Sequence, residues 1–386
     1  MRDPSDTDVI GRDPLDSGMG RVPGARRPSS SRWLRSRLAL GLSPTPVPGV
    51  VLIVGLLIGP QGINLLSRNI LSYLDPAVSA ALAALGVLIG LGFDVRRPGE
   101  IRLLGAATVE AALVMVLVGA GVVLTQLALP VPNVSVWLMA VVLGICASAS
   151  STVPSPDSAS SDSVATRIGD LDDVLPIALS GIVLAAIRVP TPEGVAWLTL
   201  QCIGLAIAVA YGARLLIAQS VSQSEQRVFT IGAVLLLGGI AEFLTISALW
   251  IGLVAGVVWN FARGDARERI AAEVRSMQHP LVVLLLLIAG ARSRSSATVA
   301  ILIVVYTALR LVGKIAGGQA VKRILSSELP PHFGLFLISP GVIAVAFALN
   351  LQNVNAKGVG DFLSIVVGGS IVSELISRIM QSRNEP

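Results

Sequence analysis

Long apolar runs separated by short polar clusters are the dominant pattern along this chain. Windows near 20 residues are long enough to cross roughly 30 Å of hydrocarbon as a helix. The pattern therefore predicts an all-α polytopic membrane protein with about 12 transmembrane helices. They are numbered here as spans 1 to 12, at about 48–66, 77–93, 102–124, 134–152, 164–187, 195–217, 229–245, 246–261, 279–291, 297–317, 332–350 and 359–378.

The composition supports a lipid environment. Hydrophobic residues make up 53% of the 386, charged residues make up 14%, and the mean hydropathy is +0.77, which excludes a soluble domain. The net charge of +5 does not indicate nucleic acid, because 8 of the 29 basic residues lie in the first 37 positions and most others fall in loops. Residues 1–36, rich in Arg, Pro, Ser, Asp and Gly, are predicted to form a disordered basic tail.

Cysteine and histidine are scarce. The chain contains only Cys146 and Cys202, both inside apolar runs, and only His279 and His332, which are far apart. This usage predicts no disulfide framework, no resident metal site and no haem.

The distribution of basic residues predicts the topology. If the N-terminus is cytoplasmic, the tail and the loops on its side hold 22 Lys and Arg residues, whereas the opposite side holds five. Because cytoplasmic loops carry an excess of Lys and Arg, this asymmetry predicts a plasma-membrane protein with both termini cytoplasmic. The five residues on the opposite side are Arg68, Arg188, Arg292, Arg294 and Lys357.

Two adjacent acids, Asp172 and Asp173, stand at the head of the apolar part of span 5. An ionised carboxylate near the bilayer centre costs roughly 3 kcal/mol on insertion scales, so a pair is tolerated there where it binds a cation, a proton or a basic partner. A second interpretation places the pair at the membrane edge as solvated caps, because Asp172 lies only about eight residues into the predicted span.

Two basic residues, Arg310 and Lys314, lie within span 10, four positions apart and therefore on one helix face. They would neutralise the acidic pair if spans 5 and 10 crossed in the membrane. The alternative is that the side chains snorkel toward an interface. For Lys314 the buried position is favoured, because Gly313, Gly317 and Gly318 would let another helix approach closely.

Two spans carry helix breakers. Span 4 turns polar at Ser150-Ser151-Thr152 and ends in Pro154, and Ser339-Pro340-Gly341 interrupts the middle of span 11. Backbone groups released at such breaks need partners, which in transporters are substrate ions and half-helix dipoles. Spans 3–5 and 10–12 run in opposite orientations with the broken helix in the middle of each, as an inverted repeat predicts. Thr152 and Pro340 should then approach within about 10 Å, the helix packing distance.

Taken in order, these motifs resemble the monovalent cation:proton antiporter superfamily, which contains bacterial sodium/proton exchangers and potassium-efflux antiporters. The similarity covers about residues 37 to 380, and the order and span numbers of the motifs carry it. The matching segments are 55–62 in span 1, which contains the Gly59-Pro60 turn, 85–94 at span 2, Ser150-Ser151-Thr152 in span 4, Asp172-Asp173-Val174-Leu175 in span 5, 246–256 in span 8, Gly313-Lys314-Ile315-Ala316-Gly317 in span 10 and Ser339-Pro340-Gly341 in span 11.

The resemblance implies a secondary active transporter, not an enzyme, which exchanges a monovalent cation for protons by alternating access. The cation would be Na⁺, with Li⁺ or K⁺ as alternatives. A transmembrane domain at 37–380 would have a core at about 77–187 and 297–378 and a scaffold at about 48–66 and 195–291. It would form a homodimer in the bilayer and need no cofactor. The implied ion-binding residues are Asp172, Asp173, Lys314, Thr152 and Ser151, with Arg310, Ser339, Glu110 and Glu242 as accessory residues.

Alternatives remain open at several positions. For Glu110 and Glu242 the simpler interpretation is an interhelical hydrogen bond or a protonated carboxyl. Only 20 positions separate Thr152 from Asp172, fewer than in the family, and the segment 154–163 is polar. A second function is therefore a non-transporting sensor or subunit with the exchanger fold. A symporter of the related bile-acid type also has crossed helices, but the aspartate pair and the Gly-Lys motif argue against it.

Overall fold

The computed structural model describes residues 48–93, 99–128, 135–150, 160–220, 222–261, 266–325, 329, 333–338, 341–354 and 360–384. The predicted tail, residues 1–36, lies outside these ranges. Within them the helices, in chain order, are α1 Pro48–Ile58, α2 Arg68–Tyr73, α3 Asp75–Gly92, α4 Glu100–Ala128, α5 Val136–Ser148, α6 Ser160–Leu171, α7 Val174–Arg188, α8 Pro192–Gln219, α9 Gln223–Leu244, α10 Ala248–Asn260, α11 Ala266–Arg292, α12 Ala297–Leu325, α13 Phe333–Phe336, α14 Val342–Val354 and α15 Gly360–Asn384.

The helices follow the twelve predicted spans in order. In the described part of the chain, seven helices are long and apolar enough to cross a membrane, and four shorter apolar helices, α1, α5, α10 and α14, fall in spans 1, 4, 8 and 11. Span 5 is divided between α6 and α7. The chain is therefore an all-α, integral, multi-pass membrane protein, as the apolar windows predicted.

Several predicted boundaries differ from the structure, and those of spans 1 and 9 have clear local causes. Helix α1 ends at Ile58, well before the predicted limit at residue 66, because the Gly59-Pro60 pair that follows disfavours helical backbone. The short α2 then begins after Ser67, whose hydroxyl caps it. Helix α11 begins at Ala266 rather than near 279, since the Ala, Glu and Arg residues before the apolar window are strong helix formers.

Ion pairs join helix ends that lie on the same side of the membrane when consecutive spans run in opposite directions. At one end, Arg292 at the close of α11 pairs with Asp75 at the start of α3 and donates to Asn353 Oδ1 at 2.7 Å. At the other end, Arg167 in α6 pairs with Glu100 at the start of α4. We call the first the basic-poor end, because the sequence places only five Lys and Arg residues in the loops there.

Two helix pairs, α1 with α11 and α3 with α10, approach closely at glycines. A Cβ added at Gly290 would collide with the carbonyl of Leu52, and one added at Gly252 would collide with the carbonyl of Ala83. In lipid no hydrophobic force draws helices together, so close backbone packing supplies much of the attraction. An inverted repeat that relates spans 1–5 to spans 8–12 makes span 1 equivalent to span 8 and span 2 equivalent to span 9. The pair α1–α11, in spans 1 and 9, is then equivalent to the pair α10–α3, in spans 8 and 2.

We expect Gly252→Val to lower the melting temperature of the detergent-purified protein, because the added side chain forces α3 and α10 apart. Overpacking of this kind costs roughly 1–3 kcal/mol. The matched control is Gly232→Val in α9, where an added Cβ meets no atom within 4 Å. Tryptophan fluorescence follows the unfolding of both variants. Equal melting temperatures would contradict the packing argument.

Candidate functional site

The acidic pair lies at an interruption within span 5, between α6 and α7. The main-chain N–H of Asp172 still donates to the carbonyl of Ile168 at 2.9 Å, and the main-chain carbonyl of Asp173 accepts from the N–H of Ile177 at 3.1 Å, so the helix direction is nearly maintained. Pro176 has no N–H and cannot bond the carbonyl of Asp172, four residues earlier, which explains the interruption. Both aspartates are buried, which excludes the solvated-cap interpretation.

The breaks in spans 4 and 11 meet. Helix α5 ends at Ser148 and α13 at Phe336, and α14 restarts at Val342. A Cβ added at Gly341 would lie 3.0 Å from the carbonyl oxygen of Ser150, so the two interruptions are in backbone contact. The predicted approach of Thr152 to Pro340 lies outside the described residues.

Arg310 joins the two breaks. Its guanidinium donates to the carbonyl of Ala149 at 2.9 Å and to the carbonyl of Ile338 at 2.6 Å. Each carbonyl lies just beyond the C-terminal end of a half-helix, where the partial charge is negative. The positive side chain therefore holds together two ends that would otherwise repel. Arg310 is only 2% exposed, so the snorkelling alternative is wrong.

Lys314 stands at the centre of a buried ionic cluster. Its Nζ lies 3.1 Å from Glu110 Oε1 and 3.3 Å from Asp172 Oδ2, and it also donates to the carbonyl of Ser148. Lys314, Glu110 and Asp172 are completely buried. The contact with Asp172 shows that spans 5 and 10 meet at these side chains, and Glu110 and Ser148 bring spans 3 and 4 to the same ammonium group.

The glycines around Lys314 allow this approach. A Cβ at Gly317 would lie 2.9 Å from Glu110 Cγ, and one at Gly318 would collide with Gly334 of α13. The predicted close helix approach along the Gly-Lys motif is thus confirmed, with α4 and α13 as the neighbours. Side chains larger than hydrogen at these positions would displace Glu110 or the broken helix of span 11.

Several carboxylate oxygens at the site have no hydrogen-bond partner in the described part of the structure. They include Oδ1 of Asp172 and Oδ1 of Asp173, both inaccessible from outside. Buried carboxylate oxygens without donors are unfavourable unless they bind a proton or a cation. Hard oxygen ligands of this kind suit a proton or an alkali cation, and the cluster around Lys314 supplies charge compensation.

The other predicted site residues divide into two groups. Ser151, Thr152 and Ser339 lie outside the described residues. Glu242 lies away from the cluster and accepts a hydrogen bond from Ser79 between α9 and α3, which is the simpler interpretation given above. Glu110, in contrast, is brought directly to Lys314.

Sequence reasoning missed the role of Ser150 and of the backbone carbonyls at the breaks. Ser150 donates its hydroxyl to Asp172 Oδ2, and thereby fixes one oxygen of the carboxylate. The polar serine run that ends span 4 was the available signal for this contact. The carbonyls of Ala149 and Ile338, which receive Arg310, have no signature in side-chain identity.

We expect Arg310→Gln to destabilise the protein by on the order of 3 kcal/mol, because two charge-assisted hydrogen bonds to the break carbonyls are lost. Arg323→Gln, an exposed position on the same helix, is the control and should melt as the wild type does. Thermal unfolding in detergent measures both. An Arg310→Gln variant as stable as its control would show that the bridge contributes nothing.

The sequence matches no protein-family model and no curated protein. Among solved structures, the chain is similar to the sodium proton antiporter MjNhaP1 from Methanocaldococcus jannaschii at pH 8, with a TM-score of 0.61 and 15% sequence identity. The similarity covers 92% of this chain and 96% of that chain, so it extends over both halves of the repeat. The predicted resemblance is thus confirmed at the level of the fold, and the chain has the sodium/proton antiporter fold with its inverted repeat and crossed broken helices.

Proposed function

We propose that the chain is a secondary active transporter that exchanges a monovalent cation, Na⁺ before Li⁺ or K⁺, for protons. The observation that carries this proposal is the pair of buried carboxylates, Asp172 and Asp173, beside the crossing of two broken helices. Within the described residues, one oxygen of each carboxylate has no hydrogen-bond partner. Intramembrane acids in such a position mark ion and proton pathways.

The two aspartates have different surroundings and therefore different proposed roles. Asp172 is engaged by Lys314 and Ser150, whereas the ammonium of Lys314 contacts Glu110, Asp172 and Ser148 in the described structure and not Asp173. Asp173 is the exchanging group, which takes a proton or a dehydrated cation. Asp172 completes the ligand shell, and Lys314 balances its charge when no cation is bound.

Glu110 extends this assignment. It shares Lys314 with Asp172, so the ammonium has a second acidic partner 3.1 Å away when a cation occupies the aspartates. A lysine that can remain paired in both states avoids an isolated buried charge, which would be strongly unfavourable. From the sequence we also propose Ser151 and Thr152 as further oxygen ligands of the cation, with Ser339 as an accessory residue.

Transport would follow by movement of a core, formed by spans 3–5 and 10–12, against a scaffold formed by the remaining helices. Span 2, which lies in the core of 77–187 expected from the sequence, belongs to the scaffold in this proposal, because α3 packs closely on α10. The glycine-mediated pairs α1–α11 and α3–α10 join helices of spans 1, 2, 8 and 9 closely, as a rigid scaffold requires. We also propose a homodimer that forms through this scaffold. Both termini are proposed to lie in the cytoplasm, because the basic-rich end carries 22 Lys and Arg residues in the sequence. The similar protein MjNhaP1 is described as a sodium proton antiporter, which supports the same chemistry here.

The test is proton flux in proteoliposomes that contain a pH-sensitive dye. Under an imposed gradient, external Na⁺, Li⁺ and K⁺ are added separately, and we expect Na⁺ to produce the largest proton movement. The same measurement distinguishes the second candidate, a non-transporting sensor or subunit. If no cation moves protons while the protein is folded and correctly inserted, the exchange proposal fails.

A further inference from the structure

A polar cavity of about 250 Å³ lies at the basic-poor end, away from the acidic cluster. The turn after α1, the helix α2, the start of α3, the end of α11 and the end of α14 form its walls. It therefore lies where the ends of spans 1, 2, 9 and 11 meet. Nothing in the transport mechanism proposed above uses it.

Three of the five basic residues that the sequence places at this end converge on the cavity: Arg68, Arg292 and Arg294. Among the described residues that line it, Asp75 is the one acid, and it is paired with Arg292. The described structure gives the exposed guanidinium groups of Arg68 and Arg294 no acidic partner. Basic residues are disfavoured at the basic-poor end, so their concentration in one cavity indicates a negatively charged occupant.

Two neutral side chains of the cavity, Gln61 and Asn353, also present donors, while a third, Gln352, has a buried Oε1 acceptor without a partner in the described structure. Gln61 Oε1 already accepts from the N–H and the hydroxyl of Ser295, at 2.8 and 2.9 Å, which leaves its NH₂ group as the free end of the amide. Asn353 Oδ1 accepts from Arg292, and its buried Nδ2 has no partner in the described structure. Two arginines and two oriented amides match the oxygens of a phosphate group.

We propose that this cavity binds a phosphate group, either free inorganic phosphate or the headgroup of an anionic phospholipid. Arg68 and Arg294 would contact the phosphate oxygens, while Arg292, held by Asp75 and Asn353, forms the rigid floor of the site. Binding there ties α2, α11 and α14 together. It would therefore stabilise the protein without being a part of the exchange reaction.

The test compares the wild type with Arg68→Gln/Arg294→Gln, two exposed positions whose replacement leaves the core intact. Arg188→Gln, at the same end but outside the described lining of the cavity, controls for the loss of a positive charge at that end. The melting temperature of each purified protein is measured against inorganic phosphate, with chloride at equal ionic strength, and separately in nanodiscs of phosphatidylglycerol or phosphatidylcholine.

We expect one of the two phosphate sources to raise the melting temperature of the wild type and of Arg188→Gln. The half-saturating concentration of that source should be at least tenfold higher for the double variant. A response to inorganic phosphate identifies a free anion, and a response to phosphatidylglycerol alone identifies a lipid headgroup. No response to either source, or an equal response in the double variant, overturns the proposal.

Discussion

Asp173→Asn is expected to abolish cation-driven proton flux in proteoliposomes. The amide has the same shape as the carboxylate but can neither carry the exchanged proton nor neutralise a cation. Asp172→Asn should leave a strongly reduced flux, because one carboxylate of the pair remains. Background leak in protein-free vesicles sets the zero for both variants.

Asp170→Asn provides the matched control for these variants. It is the same substitution two and three positions earlier in the chain, on a residue that is exposed at the end of α6. Its flux should equal that of the wild type. Wild-type flux in Asp173→Asn vesicles would defeat the assignment of Asp173, and loss of flux in Asp170→Asn would show that the effect is not specific to the buried pair.

Much of the fold was predictable because its signals are local. An apolar window of about 20 residues identifies a span by itself, and the glycine and proline breaks are visible without knowledge of any neighbour. The contact of Lys314 with Asp172 also followed from sequence, since charges isolated in apolar helices need partners. The boundaries were less predictable where helix-forming polar residues extend α11 beyond the hydrocarbon.

The parts that sequence could not predict depend on three-dimensional proximity. Arg310 binds backbone carbonyls, which every residue possesses, so no side-chain pattern distinguishes its partners. Glu110 and Glu242 look alike in sequence, since each is one acid in an apolar span, yet only Glu110 faces span 10. The difference arises because Gly317 leaves room for Glu110 beside α12.

Lys314→Met should have the largest effect on stability, because it removes the positive charge from the cluster while retaining most of the side-chain volume. Breaking a buried ion pair costs roughly 3–5 kcal/mol, and here two acids, Glu110 and Asp172, lose the same partner. We expect a clear loss of melting temperature in detergent. Lys322→Met, two turns later on the same helix, is the control and should remain close to the wild type.

Two further measurements separate lost charge compensation from lost packing. Saturating Na⁺ should partly restore the stability of Lys314→Met, because the cation can take the place of the ammonium beside Asp172. Adding Glu110→Gln to Lys314→Met should also restore part of the loss, since the second acid is then no longer an unpaired buried charge. If neither Na⁺ nor the second substitution changes the melting temperature of Lys314→Met, Lys314 does not stabilise the protein by pairing with these acids. The proposal that Lys314 balances the charge of the empty site then fails as well.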